Sequence, residues 1–449
     1  MTCKTYKSLI LCFVYIVSCL LFRVESFTPV GRYAHSAVLV GNKIYFFGGF
    51  NGKTCTNEVF YLDISQKFNA ELPPWTDLTL NSGIGFESCW AAAAVINNDN
   101  NPNIFLIGGL TSLQDENELG SQQVYVFNPK SDQWAMPIIK GEEPAVRRRN
   151  FKAIVVDNEN ILAFGGLTTG DAATLIKDMM VLNARELTWS YGNVVNAPTT
   201  RDTYTATLLL DGRIVYIGGR ERTDSLHDAD INQISIYDTK LNVWSIIQAK
   251  SNVIIESRHS HSAVLAPDGR IIIYGGSKIT AVSFTAKVSP NLAVLNTQTT
   301  PFEWTTPPVS SNIGEVPSLT VHSANLIENY MILAFGNLTS SPFKNVNSKI
   351  YLLDINNYTW VNRFESEIKV EPATNPGSPI SSPDKTTFSD SPKNSDGKGQ
   401  LNAIIGILSG ILCTAVIMTI GIFCYKKYKK RQQNENEVMR IPGNTSALL

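Results

Sequence analysis

The chain has 449 residues, of which 43% are hydrophobic, and its formal net charge is -1 at pH 7. This composition predicts a globular protein. The near-zero charge excludes recruitment to nucleic acid or to acidic surfaces by bulk electrostatic attraction.

The first predicted element is a signal peptide over residues 1–26. Lys4 and Lys7 precede an apolar run that ends at Phe22, and small residues follow at Val24 and Ser26. This order of basic, apolar and small residues is typical of a cleaved secretory leader. We expect the mature chain to begin at Phe27.

A block that recurs six times fills residues 32–364. Each copy has an apolar run that ends in paired glycines, a second apolar segment that ends in Asp or Asn, and a closing tryptophan. The glycine marks are Gly48-Gly49, Gly108-Gly109, Gly165-Gly166, Gly218-Gly219, Gly275-Gly276 and, in degenerate form, Gly336-Asn337. The closing tryptophans are Trp75, Trp134, Trp189, Trp244, Trp304 and Trp360, which lie 55 to 60 residues apart. This period predicts one supersecondary unit per repeat.

Each repeat is predicted to contain four strands, because short runs of β-branched and aromatic residues alternate with the turn-forming residues Gly, Asn, Asp and Pro. The first strand follows a motif of Arg, two residues and then His or an aromatic residue, as in Arg32 to His35 and Arg258 to His261. Four-stranded units around an axis form a propeller. The glycine pairs predict positive φ angles, and we expect Asn337 to adopt this conformation in the sixth copy.

The six marks and the Arg motif resemble the kelch repeat, found in cytoplasmic adaptors, in attractin-like and muskelin-like proteins and in galactose oxidase. The resemblance covers residues 32–364 and implies an all-β, six-bladed kelch-type propeller over residues 27–365. Fold alone does not imply an activity.

The long connections run from the second to the third strand in most repeats, and they share one face of a propeller with the links between repeats. Binding residues commonly lie on such loops. We therefore predict a ligand surface here that also includes acidic Asp115, Glu116 and Glu118. Its candidate ligand-binding residues are Arg147, Arg148, Arg149, Arg220, Arg222, Asp224, His227, Asp228 and Asp230. The alternative is that these are ordinary solvated charges.

The same face is predicted to carry Cys55 and Cys89, the only cysteines of the mature ectodomain. An even pair in an oxidising compartment predicts one disulfide, with two buried thiols as the alternative. The sequons at Asn337 and Asn357 predict glycosylation.

Beyond the repeats, residues 366–400 are rich in Pro, Ser, Thr, Asp and Lys and predict a disordered stalk. Residues 401–425 are apolar enough to predict a C-terminal transmembrane helix, and the basic cluster after Tyr425 predicts a cytoplasmic tail over residues 426–449. Gly406 and Gly410 have the spacing of a helix-dimer contact, a weak indication of a homodimer.

The sequence predicts no catalytic residue, cofactor or metal site. His35, His261 and His322 share one repeat position, which indicates a structural role. The sequence instead favours a single-pass type I protein of the plasma membrane whose propeller binds an extracellular protein or glycan. The alternatives are a galactose-oxidase-like copper radical oxidase and a purely structural adhesion protein.

Overall fold

The computed structural model describes residues 27–81, 86–98, 101–111, 123–142, 144, 146–170, 173–339 and 345–365. All of the regular elements in these residues are β-strands, and no helix among them could cross a membrane. The predicted signal peptide, stalk, transmembrane helix and tail lie outside the described residues, as do Asp115, Glu116, Glu118, Gly406 and Gly410.

The strands of the first three repeats follow in chain order. Repeat one contains β1 Ser36–Val40, β2 Lys43–Phe47, β3 Val59–Asp63, β4 Phe68–Asn69 and β5 Trp75–Asp77. Repeat two contains β6 Ala92–Asn98, β7 Asn101–Ile107, β8 Val124–Asn128 and β9 Gln133–Ala135. Repeat three, with the link before it, contains β10 Lys140–Gly141, β11 Arg148–Arg149, β12 Ile154–Val156, β13 Asn160–Phe164, β14 Leu167–Thr168, β15 Met179–Asn183 and β16 Thr188–Tyr191.

The remaining repeats continue the pattern. Repeat four contains β17 Arg201–Asp202, β18 Thr205–Leu208, β19 Arg213–Ile217, β20 Arg220–Arg222, β21 Leu226–Asp228, β22 Gln233–Asp238 and β23 Val243–Gln248. Repeat five contains β24 Lys250–Ser251, β25 Ser262–Leu265, β26 Arg270–Tyr274, β27 Ser277–Thr280, β28 Ser283–Lys287, β29 Leu292–Asn296 and β30 Glu303–Thr305. Repeat six contains β31 Ser310–Ser311, β32 Leu319–Thr320, β33 Ser323–Ile327, β34 Tyr330–Ala334, β35 Asn337–Leu338, β36 Ile350–Asp354, β37 Thr359–Val361 and β38 Arg363–Phe364.

Each repeat forms one antiparallel blade of four strands, as the sequence predicted. The blades are β1-β2-β3-β5, β6-β7-β8-β9, β12-β13-β15-β16, β18-β19-β22-β23, β25-β26-β29-β30 and β33-β34-β36-β37. The first strands of neighbouring blades contact one another in cyclic order, and β1 contacts both β6 and β33. The described residues therefore form a closed, six-bladed β-propeller.

Three of the links between blades contain short strands that add to the blade that follows. The link segments β10, β24 and β31 pair in parallel with the outermost strands of blades three, five and six. After the last blade, β38 pairs with β4 of the first blade, and the rings of Phe68 and Phe364 stack with centroids 5.0 Å apart. This pairing fastens the two ends of the ring, a closure that the sequence did not reveal.

The arginine that opens the repeat motif is buried in the interior. Each of these arginines is almost fully buried and donates a hydrogen bond to the carbonyl of the first residue of its glycine pair, over 2.8 to 3.4 Å. The four are Arg32, Arg148, Arg201 and Arg258. Carboxylates of Glu58, Asp178 and Glu221 pair with the first three. Burial lowers the pKa of Arg258 to about 10, and the nearby Glu256 opposes this shift.

Both residues of each glycine pair have positive φ angles, and the next blade lies against the first of them. A Cβ on Gly48 would lie 2.0 Å from the carbonyl oxygen of Ser88 in the next blade. In the sixth repeat the prediction for Asn337 is wrong, because the left-handed residues are Phe335 and Gly336, with φ of 60° and 95°. Asn337 instead begins strand β35. The mark of the sixth repeat therefore lies one residue earlier than its sequence suggests.

Phe335 thus occupies the position where the other five repeats have glycine. Its ring lies in the seam between the last and first blades, with centroids 5.4 Å from Phe46 and 5.7 Å from Trp75. It is fully buried, and the guanidinium of Arg32 lies 5.5 Å from its centroid. The exception to the glycine pattern therefore fills the interface at which the ring closes.

Candidate functional site

An axial channel runs through the propeller, and its upper end is framed by a ring of backbone hydrogen bonds. One residue of each repeat has a left-handed conformation with φ between 52° and 62°, namely Ala34, Trp90, Asn150, Thr203, Ser260 and Val321. Each N–H donates to the carbonyl of the equivalent residue in the preceding repeat over 2.8 to 3.3 Å, and Ala34 donates to Val321. The six bonds form a closed circle, which fixes the width of the channel.

Below this circle, three histidines bridge neighbouring blades. The Nε2 atoms of His35, His261 and His322 lie 2.8 to 2.9 Å from the hydroxyls of Ser323, Thr205 and Ser262, respectively. Burial lowers the pKa of all three imidazoles, to about 3 for His322, and nearby cationic charges contribute. They are therefore neutral at pH 7, and their role is structural, in agreement with the sequence analysis.

Above the circle lies a basin of about 290 Å³ that we call the mouth basin. Its walls combine link residues with residues of the connections between second and third strands, so the two kinds of loop do share a face. Its aromatic and basic residues are Tyr33, Trp90, Arg149, Arg220, His259 and Phe284. This composition of aromatic rings and arginines is typical of binding surfaces.

An ion pair and further hydrogen bonds fix the polar wall of the mouth basin. The guanidinium of Arg220 donates two hydrogen bonds to the buried carboxylate of Asp202, over 2.9 and 2.5 Å. The Nδ1 atom of His259 lies 2.6 Å from Asp228, which also accepts a hydrogen bond from the amide of Ile279. Asp228 thus connects the hairpin β20–β21 to β27, so this wall is held in one arrangement.

The rim of the mouth basin carries exposed apolar side chains. Hairpin β27–β28 exposes 96% of Val282 at its turn and 58% of Phe284. The guanidinium of Arg149 lies 5.6 Å from the ring centroid of Trp90. The basin therefore offers a fixed polar wall beside an accessible apolar edge.

The structure separates the predicted ligand residues into groups. Arg149 and Arg220 line the basin, and Arg222, Asp224 and Asp230 are exposed nearby. His227 pairs with Glu221 on the hairpin.

The other predicted residues have structural roles. Arg148 is buried against Asp178, and Arg147 donates to the carbonyls of Gly108 and Gly109. Asp228 is engaged by His259. Much of the connection 220–230 forms the hairpin β20–β21, because Arg220 to Arg222 pairs in register with Leu226 to Asp228.

The structure joins Cys55 and Cys89 in a disulfide, with Cα atoms 5.5 Å apart. Both cysteines are buried in a small apolar cluster that also contains Tyr33 and Leu110, with Trp90 packed against it. The crosslink therefore supports the wall of the mouth basin from below.

The two sequons differ in accessibility. Asn357 is exposed in the turn between β36 and β37. Asn337 is only 2% exposed and pairs in the β32–β35 ladder. The folded domain therefore has room for a glycan at Asn357 and not at Asn337.

Several residues of the site were not among the predicted ligand-binding residues, namely Trp90, Phe284 and His259. Trp90 could have been found as a departure from the repeat, since the other five copies have a smaller residue at that position. Phe284 carries no such signal, because it lies in the connection between the second and third strands of its repeat, where no sequence mark recurs.

Comparisons with known proteins agree with this geometry. Residues 90–336 match the family described as the KLHDC2/KLHL20/DRC7 Kelch-repeats domain, and residues 31–67 match the Kelch motif. The chain belongs to the kelch-repeat family. Kelch domains generally bind protein partners.

Individual relatives of this kelch propeller are distant. Kelch domain-containing protein 3 of Homo sapiens is 26% identical over 256 residues, which are 55% of this chain and 64% of that protein. Acyl-CoA-binding domain-containing protein 4 of Arabidopsis thaliana is 24% identical over 324 residues, 69% of this chain and 43% of that protein. The chain thus spans less than two thirds of the length of either relative.

A solved structure, titled "Structure of YjhT", has a similar fold. It superposes with a TM-score of 0.55 at 14% identity and covers 74% of this chain and 98% of its own. At this identity the likeness concerns the fold alone.

Proposed function

We propose that this kelch propeller is the extracellular part of a single-pass type I membrane protein and binds a protein partner through the mouth basin. The observation that carries the proposal is the combination of Trp90, Phe284 and Arg220 around one cavity on the long-loop face. Trp, Tyr and Arg are the residues that most often dominate the binding energy of protein interfaces.

The size of the basin favours a protein over a small molecule. Its volume of about 290 Å³ lies just below the usual range for pockets that enclose a small ligand. A cavity of this size accommodates one or two anchoring side chains. The exposed edge formed by Val282 and Phe284 then supplies apolar contact area outside the cavity.

The extracellular location rests on the sequence and on the cysteines. The signal peptide of residues 1–26 and the apolar segment of residues 401–425 predict a membrane-anchored ectodomain. A disulfide such as Cys55–Cys89 persists in oxidising compartments outside the cytosol.

The copper radical oxidase has less support than a binding module. That chemistry requires a cysteine for a crosslink to tyrosine, and Cys55 and Cys89 are bonded to each other. We therefore propose a protein without catalytic activity.

A binding array tests the proposal. The secreted ectodomain, residues 27–365, is applied to arrays of extracellular proteins and of glycans. We expect binding to a protein, and we expect Phe284→Ser with Val282→Ser to weaken it about thirtyfold, the effect of losing about 2 kcal/mol at an interface hot spot. Leu241→Ser is the matched control, because Leu241 is 70% exposed in the β22–β23 turn on the opposite face. The proposal is contradicted if Leu241→Ser weakens binding as much as the double variant does. It is also contradicted if the ectodomain binds only glycans.

A further inference from the structure

Lys152 is the exception in a ring of small residues that lines the axial channel. The residue directly after the histidine or aromatic position is Ser36, Ala92, Lys152, Thr205, Ser262 or Ser323 in the six repeats. The next residue is alanine in all six, namely Ala37, Ala93, Ala153, Ala206, Ala263 and Ala324. The alanines leave the channel open, and only the third repeat places a long cationic side chain in it.

The channel around Lys152 is a cavity of about 190 Å³. Thr205, Ser262 and Ser323 line the same cavity. Lys152 also borders a second space of about 90 Å³ that lies among His35, His261 and His322. The lysine therefore contributes to the walls of both chambers.

The charge of Lys152 has no carboxylate partner among the described residues. No ion pair or side-chain hydrogen bond joins it to the described part of the chain, although solvent in the channel reaches its side chain. The surrounding protein lowers its pKa, and its charge in turn lowers the pKa values of the three histidines. The described part of the protein therefore supplies no counter-charge for this cation.

The hydroxyls around Lys152 are available to donate hydrogen bonds to a ligand in the channel. The Nδ1 atoms of His35, His261 and His322 are buried without a hydrogen-bond partner. A buried N–H without an acceptor is rarer than an acceptor without a donor, so the proton of each ring belongs on Nε2. The serine and threonine oxygens then accept from Nε2–H, and their own hydrogens are free to donate to a ligand.

From this arrangement we infer that the axial channel binds a small carboxylate of the size of formate or acetate. The ammonium of Lys152 supplies the opposite charge, and the hydroxyls of Thr205, Ser262 and Ser323 donate to the carboxylate oxygens. The neutral histidines hold the hydroxyls in position. This site is separate from the mouth basin and does not depend on the function proposed for it.

Reductive methylation of the full-length chain with formaldehyde tests this site. Formaldehyde is small and neutral, and only the unprotonated amine reacts. Replacing sodium chloride by sodium formate at equal ionic strength should slow methylation of Lys152 about tenfold, because a bound carboxylate raises the pKa and one pKa unit changes the free-amine fraction tenfold. The exposed Lys53 and Lys130 serve as internal controls in the same peptide digest. An unchanged rate at Lys152, or equal slowing at all three lysines, overturns the inference.

A second variant tests the hydroxyls. Thr205→Val removes one donor without changing the shape of the side chain, and we expect about tenfold more formate to be needed for the same protection of Lys152. Thr207→Val is the matched control, because Thr207 is buried two residues later in β18 and does not line the cavity. Equal behaviour of the two variants contradicts the role of Thr205.

Discussion

Lowering the pH from about 7.5 to about 5.5 is expected to reduce the free energy of unfolding of the propeller by about 4 kcal/mol. His35, His261 and His322 have native pKa values well below 6.5, whereas in the unfolded chain they titrate near that value. Below pH 6.5 the unfolded state therefore binds more protons than the native state. The stabilisation is complete above this pH and is lost as the pH falls toward the native pKa values.

Urea unfolding at a series of pH values measures this effect. In His322→Phe the decrease in the free energy of unfolding between these two pH values should be about one third smaller, because one of the three contributing imidazoles has been removed. Phenylalanine is already present at the same repeat position as Phe151, so the substitution suits the fold. His227→Gln, on the hairpin β20–β21, is the matched control. A loss of less than about 1 kcal/mol between the two pH values contradicts neutral, buried histidines.

Phe335→Ala is expected to lower the free energy of unfolding by about 3 to 5 kcal/mol, the usual cost of removing a buried phenyl ring. The ring is fully buried in the seam between the last and first blades, against Phe46, Phe60 and Trp75. Its loss leaves a cavity at the interface that closes the propeller.

Chemical denaturation of the ectodomain followed by tryptophan fluorescence measures the change. Phe284→Ala is the matched control, since Phe284 is 58% exposed and its truncation should alter stability by less than about 0.5 kcal/mol. If Phe335→Ala costs less than about 1 kcal/mol, Phe335 does not stabilise the seam.

The repeat pattern was sufficient to predict the strands and the number of blades. Arg32, Gly48 and Trp75 recur with a fixed order, and a backbone conformation that repeats leaves a repeated sequence mark. The sixth mark was misplaced by one residue, because Gly336 and Asn337 resemble a glycine pair more than Phe335 and Gly336 do. The mark is located by the φ of 60° at Phe335, whose ring packs against Phe46 and Trp75 of the first blade.

The site was less predictable than the fold, because its residues come together across blades. Arg148 and Arg149 are adjacent in sequence, yet the first is buried against Asp178 and the second borders the mouth basin. Their opposite directions in the short strand β11 explain the difference. The hydrogen-bonded circle from Ala34 to Val321 uses only backbone atoms and therefore has no side-chain signature.

Photo-crosslinking on living cells tests most directly whether the mouth basin binds an extracellular protein. The full chain carries Phe284→benzoylphenylalanine at the rim, or Leu241→benzoylphenylalanine on the opposite face, and surface proteins are first biotinylated with a membrane-impermeant reagent. We predict that the chain itself is biotinylated and that irradiation joins position 284, and not position 241, to a discrete biotinylated protein. Equal crosslinking from both positions, or a chain that the reagent does not reach, contradicts the proposed function.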